Sequence, residues 1–139
     1  MTQRTKDQPA AAAIKADISV GELADKIGIL EIKADRIDDP DKLSNVRREL
    51  DTLRTIYRSD VPESPALEAL CSALKDVNVE IWNLEDDIRE HERNKDFGAS
   101  FVSLARSVYQ TNDRRAALKR EINVLVGSAI VEEKSYQDY

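Results

Sequence analysis

The sequence predicts an all-α protein, an antiparallel four-helix bundle with one short and one long helical hairpin. Two heptad patterns carry this prediction. The first places apolar residues every three or four positions, at Leu67, Leu70, Leu74, Val77, Ile81, Leu84 and Ile88. The second runs from Phe101 to Leu125 and is interrupted by the polar break, residues Thr111–Arg115. No stretch alternates apolar and polar residues over more than four positions, so the sequence predicts no strand.

Capping and breaker residues set the bounds of the predicted helices. Ser19, followed three positions later by Glu22, fits a capping box at the start of the first helix. Gly127 predicts either the end of the last helix or a point through which it continues to Val131. The other signals are an N-cap before a first-turn proline at Asp39-Pro40 and Ser64-Pro65, and a turn at 94–98.

The first helix is expected to contact more than one neighbour. Ile29 and Ile32 widen its apolar stripe beyond a two-helix seam, as in a bundle. Ala24 and Gly28 lie one turn apart, which predicts the close approach of another helix. The chain divides into a mobile N-terminal tail at 1–17, a helical bundle domain at 18–131 and a polar C-terminal tail at 132–139.

Composition narrows the possible partners. The 139 residues are 41% hydrophobic and 35% charged, with a net charge of −6. This acidic balance argues against nucleic-acid binding and against docking on anionic membranes. No run approaches the roughly 20 apolar residues of a membrane span. The single cysteine, Cys71, predicts a reducing cytoplasmic location and is interpreted as a buried structural thiol.

The lengths of the predicted helices do not match. The third helix is roughly 43 Å long, and the first two reach only roughly 27 Å. The long hairpin should therefore overhang at its tip and expose apolar surface, which soluble monomers rarely leave bare. The sequence predicts a homodimer or a helical protein partner there, with a candidate oligomer surface at Leu84, Ile88, Phe97, Phe101 and Leu104.

The polar break predicts a polar cluster in the long hairpin. With the turn near residue 96, the break lies opposite Asn78, Ile81 and Trp82. The cluster comprises Asn78, Trp82, Glu85, Arg89, Asn112, Arg115 and Lys119. One interpretation is a structural network, in which Asp76, Glu80 or a carboxylate of the first helix, such as Glu31, pairs with Arg115. The other is a cleft whose Arg and Lys side chains hold a small-molecule anion.

Other chemistry has less support in the sequence. Asp87-x-x-Glu90 resembles one half of the paired carboxylate motifs with which all-helical nucleotide pyrophosphatases hold magnesium, but no second half is present. His91 is the only histidine and is interpreted as a surface residue. No nucleophile triad, glycine-rich phosphate loop or Cys/His metal spacing is found. The sequence therefore predicts no catalytic residue, no cofactor and no metal.

Several segments together resemble an uncharacterised bacterial all-helical family known only as a domain of unknown function. The resemblance spans about residues 18–136. Its segments are 18–27, 30–33, 45–50, 82–89, 96–98, 109–119 and 132–136. It implies no activity, but it implies an association with glycosyltransferase or surface-polysaccharide systems. The sequence as a whole predicts a non-enzymatic helical interaction (adaptor) module. The alternative is a small helical enzyme or ligand-binding protein with an anionic metabolite in the Arg/Lys/Asn cleft.

Overall fold

The computed structural model describes residues 13–139, of which 75% are helical and none lie in strands. The four helices are α1 (Val20–Arg36), α2 (Pro40–Asp60), α3 (Pro65–Arg93) and α4 (Ala99–Val126). The predicted all-α bundle is confirmed. The mobile tail predicted at 1–17 falls for its first twelve residues outside the described part of the chain, and residues 13–17 are exposed and not helical.

The predicted caps begin the first three helices. The Ser19 hydroxyl accepts a hydrogen bond from the Glu22 amide at 3.0 Å, and Ser64 does the same for Leu67 at 3.1 Å. Asp39 caps α2 by accepting from two first-turn amides. α4 begins at Gly98 without a side-chain cap. It ends at Gly127, whose φ of 65° is left-handed, so the chain reverses there and does not continue as helix to Val131.

α1 occupies the centre of the fold, because it is the one described helix that packs against the other three. α2 lies along α1 and meets α3 only through side chains near its C-terminal end. There the Tyr57 hydroxyl lies 3.6 Å from the Cys71 sulfur. The wide apolar stripe of α1 is thereby explained, since opposite sides of it face α2 and the α3–α4 hairpin.

The buried core follows this arrangement and lies in one half of the molecule. One cluster joins α1, α3 and α4 and comprises Leu23, Ala24, Val61, Leu67, Leu74 and Ile122. A smaller cluster joins α1 to α2 and comprises Leu30, Val46 and Leu50.

Two glycines of α1 face neighbouring helices at different distances. A Cβ on Gly21 would lie 2.5 Å from the main-chain oxygen of Lys119, so only glycine lets α1 and α4 approach this closely. At Gly28, α3 lies alongside α1 as predicted. A Cβ there would lie 3.8 Å from the Cβ of Lys75, which is an ordinary van der Waals distance. The tightest approach of α1 is therefore at its N-terminal end.

The α3–α4 hairpin extends beyond the other helices, as the length mismatch predicts. We call residues 79–110 the distal arm; no residue of it is buried. α1 reaches only its base, where Arg36 donates a 2.8 Å hydrogen bond to the Asn83 side chain and lies over the Trp82 ring. Beyond that point α3 and α4 pack only on each other.

After Gly127 the chain runs back along α4. We call residues 128–139 the strap. It has no helix, and its side chains meet α4 in reverse order along that helix. Glu133 accepts from Arg120 at 2.8 Å, and further along the strap Tyr139 donates to Asp113 at 2.7 Å. The polar C-terminal tail predicted at 132–139 makes up most of this strap.

Candidate functional site

The most buried charged group of the described chain is a carboxylate on α1. Asp25 is 1% exposed and lies between small residues of the α1 stripe. Arg115 of α4 donates to both of its oxygens, from Nε at 2.9 Å and from Nη2 at 2.5 Å. The Asn78 side chain of α3 donates a third bond at 2.9 Å. This network joins three helices and satisfies a buried charge by a bidentate pair.

The electrostatics of this network favour the ionised pair. The hydrogen bonds to Asp25 raise the pKa of the Arg115 guanidinium above its ordinary value, against the opposing effect of burial. Asp25 therefore stabilises the charge of Arg115. A pair of this kind fixes the register of the helices that carry it.

The main-chain amides at the N-terminus of α1 also have hydrogen-bond partners within the chain. The Val20 amide donates to the Ser128 hydroxyl at 3.2 Å, and the Gly21 amide donates to Oδ1 of Asn123 at 2.7 Å. The next amide is capped by Ser19. Because these amides already have partners, this helix end offers no free donors to an external anion.

An ion-pair chain borders the same helix end. Lys119 donates to Glu22 at 2.5 Å and to Glu132 of the strap at 3.3 Å. Glu132 in turn accepts from the Ser19 hydroxyl at 3.2 Å. Desolvation raises the pKa of Glu22, but the hydrogen bond and charge of Lys119 outweigh it and leave this pKa below the usual value. The same pair holds the pKa of Lys119 above its usual value, despite desolvation.

Replacing Glu22 with glutamine should change how the stability of the protein depends on pH, because it removes the ion pair with Lys119. Because the pKa of Glu22 is lowered in the folded protein, the stability that its pair with Lys119 contributes is present above pH 4.5. This stability is lost as the pH falls through the folded-state pKa. Glu22→Gln is expected to reduce the free energy of unfolding by about 1 kcal/mol at pH 7. The difference from the wild type should shrink below pH 4.5. Urea denaturation at several pH values measures it.

The exposed Glu121 of α4 provides the control. Glu121→Gln removes the same charge without touching the pair, and we expect no pH-dependent loss from it. A loss for Glu22→Gln that stayed constant from pH 7 to pH 3 would show that the pairing with Lys119 is not its cause.

The structure divides the predicted polar cluster. Asn78 and Arg115 meet at Asp25, and Lys119 lies one turn further along α4. Asn112 is half-buried and lines the groove under the strap. The other predicted members lie on the distal arm. Trp82 packs under Arg36, and Arg89 forms an exposed 2.8 Å pair with Glu85 of its own helix.

The partner of Arg115 lies on one of the helices that the sequence suggested, but it is none of the three carboxylates named there. The network interpretation named Asp76, Glu80 or a carboxylate of the first helix, and the partner of Arg115 is Asp25 of that helix rather than Glu31. Glu80 instead accepts from Arg114 at 3.0 Å, and Glu31 accepts from Arg54 at 2.9 Å. We call the Asp25 network and the contacts at the N-terminus of α1 together the junction. Sequence reasoning also missed four of its members: Glu22, Asn123, Ser128 and Glu132. A charged residue set between Ala24 and Gly28 was the one available signal for Asp25.

A groove of about 1130 Å³ lies between α4 and the strap. Three tyrosines line it: Tyr109, Tyr136 and Tyr139. Its charged lining is balanced, with Arg115, Lys119, Arg120 and Lys134 against Asp113, Glu132, Glu133 and Asp138. The four cations all form ion pairs within the chain. The groove therefore does not present a basic surface.

Other candidate groups are less suited to chemistry. Cys71 is half-buried, and burial raises the pKa of its thiol, which lowers the fraction of reactive thiolate. In residues 13–139, no group of three or more His, Cys, Asp or Glu side chains is arranged to hold a metal ion. None of the described helices combines the length and the apolar character needed to cross a membrane.

The predicted oligomer surface lies on the distal arm. Leu84, Ile88, Phe101 and Leu104 form the seam of the hairpin and are half-buried. Phe97 at the tip is 50% exposed and packs edge-on against Phe101, with ring centroids 5.3 Å apart. The seam is thus shared by two helices and covered by no third.

The fold and the junction define a small all-α protein whose conspicuous polar groups are engaged with one another. No curated protein and no solved structure is detectably similar to the chain. The chain belongs to DUF6165, a family of unknown function, whose model matches residues 14–139.

Proposed function

We propose that the protein is a non-enzymatic helical interaction module that acts as a homodimer, with the distal arm as its contact surface. The observation that supports this proposal is the absence of any buried residue between 79 and 110, although this stretch continues the heptad pattern of the core. Two helices alone leave the flanks of such a seam exposed, and soluble monomers rarely leave a contiguous apolar surface uncovered.

The charges of the distal arm favour a second copy of the chain as its partner. The α3 side of the arm, residues 79–98, carries seven acidic and three basic residues. The α4 side, residues 99–110, carries only Arg106. In an acidic chain, two copies repel each other through their α3 sides and meet through the nearly uncharged α4 sides. Contact of like with like is the geometry of a two-fold dimer.

The alternative, a ligand-binding protein or small enzyme with an anionic metabolite, has less support. It requires donors that are free to bind an anion, and Arg115 and Lys119 are engaged with Asp25 and Glu22. The balanced charge of the groove also provides little attraction for an anion. We extend the proposal to a cytoplasmic location on the basis of the single cysteine. A link to glycosyltransferase or surface-polysaccharide systems rests on the family resemblance alone.

Sedimentation equilibrium over a range of protein concentrations tests the dimer. We expect the wild type to reach twice the mass of the chain. Phe97→Ser removes exposed apolar surface from the tip and should weaken self-association by about tenfold. Val124→Ser is the matched control, because Val124 is 69% exposed on α4 but lies outside the arm.

A compact monomer at every concentration would contradict the proposal. So would equal weakening by Phe97→Ser and Val124→Ser, because the contact surface would then lie outside the distal arm. Circular dichroism of both variants confirms that the helices are intact before association is compared.

A further inference from the structure

One face of α4 continues from the distal arm under the strap. Val102, Tyr109 and Ala116 are spaced seven residues apart and so lie along the same side of the helix. Tyr109 and Ala116 line the groove under the strap, whereas Val102 is 52% exposed. The strap reaches as far as Tyr109, on which the Tyr139 ring packs with centroids 5.1 Å apart. The strap thus covers the inner half of a continuous face.

The contacts that hold the strap on this face are weak. Among the described residues, no main-chain hydrogen bond joins 129–139 to the rest of the chain, and all of these residues are exposed. Two of its ion pairs, Lys134 with Asp113 and Glu133 with Arg120, lie in solvent, whereas the pair of Glu132 with Lys119 is more buried. Solvent-exposed pairs contribute little net stability. Residues 133–139 of the strap are therefore a cover that is removed at low energetic cost.

Release of the strap would change the surface in a direction that favours a second copy. The strap carries Glu132, Glu133 and Asp138 against a single cation, Lys134, so its departure takes negative charge away from α4. It also frees Arg120 from Glu133. The α3 side of another copy's distal arm is acidic and complements a freed cation.

We propose that the α4 face from Val102 to Arg120 is one docking surface for a second copy of the chain, and that the strap competes with that copy for its inner half. This inference rests on the proposed homodimer and adds its regulation. Two copies approach with antiparallel α4 helices, each copy's Val102 opposite the other's Ala116, so that both halves of the face are used. The strapped form offers only the outer half of the face, and the released form offers all of it.

The full-length double variant Lys134→Ala/Tyr139→Ala tests the proposal. It removes both hydrogen bonds to Asp113 and the packing on Tyr109. Faster chymotrypsin cleavage at Tyr136 reports release of the strap without reference to association. In sedimentation equilibrium we expect self-association at least about fivefold stronger than in the wild type. Adding Val102→Glu should abolish that gain, whereas adding Ser103→Glu, one residue further on a neighbouring face, should not.

The outcomes separate this inference from the proposed function. A wild type that dimerises, with a released variant that associates equally or more weakly, overturns the competition and leaves the dimer intact. Unchanged cleavage at Tyr136 also overturns it, because these contacts would then not hold the strap. If neither protein self-associates at any concentration, the homodimer itself is wrong.

Discussion

Replacing Asp25 with alanine is expected to lower the free energy of unfolding by about 3–5 kcal/mol. The substitution removes the carboxylate that accepts two bonds from Arg115 and one from Asn78. Both donors would then remain at the centre of three packed helices without their partner. Urea denaturation followed by circular dichroism measures the loss, and Asp35→Ala, on an exposed turn of the same helix, should change it little.

Two further variants keep this prediction measurable if Asp25→Ala does not fold. Asp25→Asn retains the shape of the side chain without its charge. We expect it to lose less free energy of unfolding than Asp25→Ala. Combining Asp25→Asn with Arg115→Met gives a double-mutant cycle, in which the double variant should lose less than the sum of the single losses. Additive losses would mean that Asp25 and Arg115 contribute independently of their pairing.

The second large effect is expected at Gly21. Gly21→Ala should destabilise the protein by about 2–3 kcal/mol, because the new methyl group meets a main-chain oxygen that cannot move without shifting α4. The same approach brings the Gly21 amide to Asn123. Thermal and urea denaturation both measure the effect.

Gly28→Ala is the matched control for this prediction. It makes the same chemical change in the same helix where a methyl group has room, so helix propensity should stabilise the protein by about 0.5–1 kcal/mol. The two variants should therefore move stability in opposite directions. A Gly21→Ala protein as stable as the wild type would show that α1 and α4 do not approach this closely.

The helices were predictable because their signals are local. Ser19, Asp39 and Ser64 each cap a helix through an amide two or three positions away, and apolar spacing needs no knowledge of the fold. The register across the α3–α4 turn was also accessible, since Arg114 meets Glu80 where the turn places them. Local signals thus account for the four helices and the long hairpin.

The site was less predictable because its contacts join distant parts of the chain. Asp25 and Arg115 are separated by 90 residues, and nothing in the sequence states where α1 lies along the hairpin. The side of α4 that faces α1 was therefore assigned to α3. This explains why Glu31 was named as the example from the first helix in place of Asp25, and why Glu85 and Arg89 were grouped with Arg115. The strap contacts were missed for the same reason.

The central position of α1 has a consequence for the order of folding during synthesis. The Gly21 amide cannot form its hydrogen bond until Asn123 is synthesised, 102 residues later. At about 5–20 residues per second this interval is roughly 5–20 s. Until α3 has been made, α1 has only the small core with α2 to fold onto, and its side facing α3 and α4 stays bare on the ribosome. The nascent α1–α2 hairpin is therefore the stage at which this chain is most exposed to aggregation and to chaperone binding.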